Sequence, residues 1–142
     1  MSPLFVADTN IYVGASNDAE FLAQFEGFVR EHGALLVSTV VVAEVIIGIP
    51  DPARHAAAVE ALASGTQLVA PTADDWMKAG AVTAKLGGED VTKSRSFWND
   101  TLLAVQCSRL GAALITRNTR DFQRLRRHTG VVVVAPFPGA IT

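Results

Sequence analysis

Short apolar runs alternate with amphipathic stretches along most of this 142-residue chain. Leu4 to Ala7 is a four-residue apolar run with the character of a strand. Asn17, with Glu20 three residues on, has the form of a capping box. Phe21, Leu22, Phe25, Phe28 and Val29 then share one helical face that stops near Gly33. Ala34 to Val37 reads as a second strand, after which Ser38 or Thr39 caps an apolar helix running through Ile47. Asp51-Pro52 sets a cap before a proline at the first helical position and opens a helix to about Ser64. Leu68-Val69 is a brief extended piece, and Thr72 with Asp75 begins a helix ending at Gly87-Gly88. Beyond a polar loop, Ser96 caps a helix through Leu110 that Gly111 stops. Ala112 to Ile115 is a strand, Thr119 to His128 a helix, and Val131 to Ala135 a last strand.

Strands that alternate with helices in this way predict an α/β fold, a mainly parallel central sheet covered by helices on both faces. Crossovers in such a sheet are right-handed, and sites gather beyond the carboxyl ends of its strands. Asp8 and Thr116 both fall at such ends.

Composition narrows the class. Hydrophobic residues make up 49% of the chain and charged residues 18%, which excludes disorder and predicts one domain over residues 1–142. The longest largely apolar stretch, Leu35 to Ile49, is too short for a membrane span and contains Glu44. The opening residues lack the basic and apolar segments of a signal peptide, so a cytoplasmic protein without membrane association is expected. Cys107 is the lone cysteine, which excludes an intrachain disulfide and a cysteine zinc site. Residues 1–92 carry 12 acids against 4 bases, and residues 93–142 carry 8 bases against Asp100 and Asp121. The net charge of −2 therefore hides an Arg-rich last third, a hint of phosphate or nucleic-acid contact.

Four acids carry the candidate chemistry. Glu44 sits in a helix apolar on nearly every side, so its carboxylate needs a compensating partner. Asp8 ends a strand, and Asp100 and Asp121 each lie one turn into a helix. Each of these three has an ordinary explanation alone, as a cap or a dipole partner. Together all four lie where the sheet's carboxyl edge meets a helix, and converging carboxylates repel unless a cation neutralises them. An all-oxygen set suits Mg²⁺ or Mn²⁺, whereas His32, His55 and His128 lack the spacing of zinc ligands. Such an acidic site beside arginines suits cutting a phosphodiester.

These residues resemble a known family. Val6-Ala7-Asp8-Thr9-Asn10 resembles the first motif of PIN-domain ribonucleases, and Ala43-Glu44-Val45 the second. Asn99-Asp100-Thr101-Leu102-Leu103-Ala104 is similar to the third motif, and the run from Leu114 through Thr116-Arg117-Asn118 to Asp121-Phe122 to the fourth. The resemblance implies a three-layer α/β/α sandwich and hydrolysis of RNA to a 5′-phosphate and a 3′-hydroxyl. Asp8, Glu44, Asp100 and Asp121 would be the catalytic and metal-binding acids for Mg²⁺ or Mn²⁺. Some members carry the fourth acid where this chain has Asn118. Thr9, Asn10, Thr116 and Asn118 would support those ligands. Gln106-Cys107 replaces residues that are commonly small.

The short length most resembles VapC-type toxins, which implies a small antitoxin partner and a homodimer. Arg117 and Arg120, and less directly Lys93 and Arg95, are the expected RNA contacts. A receiver domain would need paired acids after the first strand and a lysine after the last. A dehalogenase-type phosphatase would need an acid where Asn10 stands. The alternative kept open is a PIN-like domain that binds RNA or protein without cutting.

Overall fold

The structure is a computed structural model in which residues 3–87 and 95–136 are described, Arg95 and Ser96 by backbone alone. Five strands form one all-parallel sheet: β1 (Leu4–Ala7), β2 (Ala34–Ser38), β3 (Gln67–Val69), β4 (Ala112–Ile115) and β5 (Val132–Val134), in the order β3-β2-β1-β4-β5. The α-helices are α1 (Thr9–Asn17), α2 (Ala19–His32), α3 (Thr39–Ile47), α4 (His55–Ala63), α5 (Ala73–Lys85), α6 (Arg95–Leu110) and α7 (Thr119–Thr129).

Alternation along the strands explains the layers. In β1, Val6 joins one buried cluster, while Phe5 and Ala7 join the other. Leu114 and Ile115 divide in the same way, as do Val133 and Val134. One face is covered by α1 and α2 through Ile11, Ala15, Phe21, Phe25 and Phe28. The opposite face is covered by α5, α6 and α7 through Ala79, Val82, Leu102, Leu103, Phe122 and Leu125. The result is the expected α/β/α sandwich. The inner strands β1 and β4 are apolar on both sides because each side meets helices, whereas the edge strand β3 leaves Leu68 exposed.

Several boundaries differ from the sequence reading. A helix over Thr9–Asn17 stands where only a junction was expected. Its sequence includes the β-branched Thr9, Ile11 and Val13 and the flexible Gly14, a weak local signal. It buries only Ile11 and Ala15. The next helix is capped by Asp18, not Asn17, its carboxylate accepting from the Glu20 and Phe21 amides. Leu22, expected on the core face, is exposed, since Phe21, Phe25 and Phe28 already fill that stripe. The proline after Asp51 opens a 3₁₀ turn (Pro52–Arg54) before α4 rather than a continuous helix. Ser96 lies inside α6, which begins at Arg95. The last strand is shorter than Val131–Ala135 at both ends. The Ser38 cap and the Thr72–Asp75 capping box are as expected. The polar loop with Lys93 lies outside the described residues. No described helix is long and apolar enough to cross a membrane.

Candidate active site

β1 and β4 run side by side with Ala7 opposite Ile115, so the next residue of each chain segment, Asp8 and Thr116, emerges at the same sheet edge. The Asp8 amide donates to the Ile115 carbonyl at 2.9 Å, which holds the two segments in register to their ends. Asp8 leaves the strand in extended conformation and caps α1, its Oδ1 accepting from the Thr9 amide at 2.7 Å. Its Oδ2 accepts from the Thr116 hydroxyl at 2.9 Å and from Asn10 Nδ2 at 3.2 Å. The caps that explain these residues singly therefore also fix the carboxylate in one orientation.

Thr116, fully buried, is the hub of this arrangement. Its hydroxyl oxygen accepts from Asn10 Nδ2 at 3.2 Å and from the Asn118 amide at 3.0 Å while it donates to Asp8. Asn10 Oδ1 accepts from the Arg117 amide at 3.0 Å, tying the β4–α7 turn back to α1. Asn118 Nδ2 donates to Asp121 at 3.1 Å. On the other side the Thr9 hydroxyl donates to Glu44 Oε1 at 3.0 Å, which links α1 to α3. Glu44, from the all-apolar helix, is thus half-buried at the site's rim rather than inside the core.

Asp8, Thr9, Asn10, Val13, Glu44, Asp100 and Asn118 surround one depression of about 300 Å³. Asp121 stands beside it on the first turn of α7. Electrostatics registers this proximity. Burial, followed by the charges of Asp8, Glu44 and Asp121, raises the Asp100 carboxyl from 3.8 to about 8. Burial also raises Asp8, opposed by its bonds from Thr116 and Thr9. Among the described residues no three acidic, imidazole or thiol groups are already closed around a single point. The donor chemistry nonetheless fits a hard divalent cation: several oxygens, mutual repulsion, and hydroxyl and amide donors that fix their orientation.

The basic residues are placed unevenly. The Arg117 guanidinium lies 4.2 Å from the centre of the Phe21 ring. It fills the space over Gly14, where a Cβ would meet it at 3.0 Å. Arg120 is exposed on the first turn of α7. The side chain of Arg95, like Lys93, lies outside the described residues. Val13 lines the depression although the sequence reading did not name it, and an isolated apolar side chain carries no motif to find it by.

The PIN domain family model matches residues 5–128. The chain belongs to the PIN domain family. Solved structures with this PIN fold include VapBC-1 from nontypeable Haemophilus influenzae, 22% identical with a TM-score of 0.71, covering 93% of this chain and 97% of that one. VapBC2 from Rickettsia felis, bound to a DNA fragment from the promoter, is 18% identical with a TM-score of 0.70 over 93% and 98%. A toxin–antitoxin complex from Klebsiella pneumoniae is 20% identical with a TM-score of 0.67 over 94% and 98%. No curated protein matches the chain. At these identities the likeness is one of fold.

Proposed function

We propose that this PIN domain is a metal-dependent endoribonuclease that hydrolyses RNA phosphodiester bonds, acting as the toxin of a toxin–antitoxin pair. One observation carries the reading: Asp8, Glu44 and Asp100 border a single depression, and Asp100 is held near 8 by burial and by its acidic neighbours. Carboxylates brought together at that cost have a use for a cation. A fold that needed only packing would fill the same edge with apolar groups.

Asp8, Glu44, Asp100 and Asp121 would hold Mg²⁺ or Mn²⁺. When bound, such an ion neutralises a phosphoryl oxygen and lowers the pKa of a coordinated water to supply hydroxide. The chain's own work is orientation. Thr116, Asn10 and the Thr9 amide fix Asp8, the Thr9 hydroxyl fixes Glu44, and Asn118 fixes Asp121. Arg120 meets the RNA backbone outside the acids, a role that the sequence alone extends to Lys93 and Arg95. Arg117, seated on Phe21, acts first as a brace between the β4–α7 turn and α2.

The partner reading has its own support. An open groove of about 670 Å³ adjoins the depression, shares Thr9 and Glu44 with it, and is walled by Tyr12, Leu22, Phe25, Leu35, Val45 and Leu62. An apolar antitoxin segment seated there would end at the acids, where a basic side chain would compete with the metal. The similar structures named above are themselves VapBC or toxin–antitoxin complexes. Exposed Trp76 and Met77, with Trp98 near Trp76, offer surface for a homodimer in the cytoplasm.

Cleavage of RNA with Mg²⁺ or Mn²⁺, abolished by EDTA and by Asp8→Asn, tests the proposal. Equal cleavage in EDTA refutes the metal mechanism. RNA or antitoxin binding without any cleavage favours the non-cutting PIN-like domain instead.

A further inference from the structure

Gln106 is wholly buried in the middle of α6. Its Oε1 accepts from the Ser38 hydroxyl at 2.5 Å, while its Nε2, also buried, has no hydrogen-bond partner among the described residues. Ser38 is fully buried too, and its oxygen accepts from the Val40 amide at 3.2 Å as the cap of α3. Turning the amide over only moves the unpaired end from nitrogen to oxygen, so one end is orphaned in either setting. An unpaired buried amide group opposes folding, and an apolar side chain of the same length would trade that cost for a stranded Ser38 hydroxyl.

The position of the bond suggests what the cost sustains. α6 packs mainly on α5, α7 and β4, and the Ser38–Gln106 bond ties it across to the junction of β2 and α3. Asp100 lies on α6 six residues before Gln106, and Glu44 lies on α3 six residues after Ser38. Each interval is roughly 9 Å of stiff helix at 1.5 Å per residue. A displacement at the tie is therefore carried to the two acids, which approach the same depression from different helices.

We propose that Gln106 is a positioning residue for the acidic site, setting through Ser38 the separation of the helices that carry Asp100 and Glu44. The proposal rests on the metal-dependent reading above. Gln106→Met keeps the length and removes the amide. Calorimetry with Mn²⁺ alone, without RNA, is expected to show about tenfold weaker binding than wild type. The melting temperature is expected to change little, because the orphaned amide nitrogen is gone while the buried Ser38 hydroxyl loses its acceptor. In cleavage assays kcat is expected to fall while KM for RNA holds. Ser38→Ala is expected to weaken Mn²⁺ binding as well, with the double variant no worse than the poorer single one, since both break one tie. Should Gln106→Met fail to fold, Gln106→Asn, one methylene short of Ser38, takes its place.

Wild-type Mn²⁺ affinity in the Gln106 variant of an enzyme that cleaves RNA overturns the positioning role and leaves the nuclease reading intact. A wild-type protein that binds no Mn²⁺ overturns both.

Discussion

Replacing Asp100 by Asn separates a metal ligand from a structural acid. In the metal-free fold the Asp100 carboxyl titrates near 8, against 3.8 for the unperturbed group, because it is buried and faces Asp8, Glu44 and Asp121. The folded state therefore holds a proton that the unfolded chain has released. The sign follows directly. No penalty exists below about pH 4, where both states are protonated. It grows as pH rises, and it is complete above about pH 8. Each tenfold change in proton affinity is worth about 1.4 kcal/mol, so the ceiling is near 6 kcal/mol. That figure would match the lower end of the roughly 5–15 kcal/mol that stabilises a domain. Water entry and side-chain relaxation lower it, and we expect a realised penalty of about 2 kcal/mol.

Asp100→Asn removes the charge at nearly constant volume. In EDTA at pH 8 its melting temperature is expected to exceed wild type by about 6 °C, given roughly 3 °C per kcal/mol for a chain of this length. At about pH 4 or below the two are expected to melt nearly together. Adding Mg²⁺ or Mn²⁺ is expected to raise the wild type toward the variant at pH 8 and to leave the variant unmoved. RNA cleavage by the variant is expected to fall at least a hundredfold. A variant that melts below wild type at both pH values would refute this reasoning and make Asp100 a structural residue.

Other perturbations probe different parts of the molecule. Thr116→Val leaves Asp8 Oδ2 without its hydroxyl donor, and we expect about tenfold weaker Mn²⁺ binding by calorimetry. Arg120→Ala is expected to reduce by about one the slope of log RNA affinity against log salt, with no change in melting temperature. Arg117→Ala is expected to cost about 1 kcal/mol in denaturant unfolding through the lost contact with Phe21. Arg109→Ala strands buried Asp75, whose two oxygens both accept from Arg109 Nε at 2.9 Å. Because the arginine side chain is 38% exposed, we expect a loss of about 2 kcal/mol in the same measurement, below the range for a fully buried pair.

The parts of this protein legible in its sequence are those set by local pattern. Apolar runs of four or five residues, each closed by a cap or a glycine, mark β1, β2 and β4 and place Asp8 and Thr116 at their ends. Glu44 stood out because a carboxylate in an apolar helix demands a partner. One such partner is the Thr9 hydroxyl on a helix the pattern did not reveal. α1 escaped because its stability is tertiary. Ile11 and Ala15 bury against the sheet, Asp8 caps it, and Arg117 lies in the space left by Gly14. None of those contacts is written in nine residues read alone.

Arginine placement shows the same limit from the other side. Counting charge identifies a basic third of the chain, yet Arg117, exposed like Arg120, rests on the Phe21 ring 96 residues away in sequence. Charge composition predicts a class of partner, and only packing decides which cations remain available to it. The Ser38–Gln106 tie extends that point to the acids. Motifs name the carboxylates, but the distances between them depend on buried groups whose residue types carry no signature. The acidic site is therefore best understood as four local signals held at a working separation by contacts that span the fold.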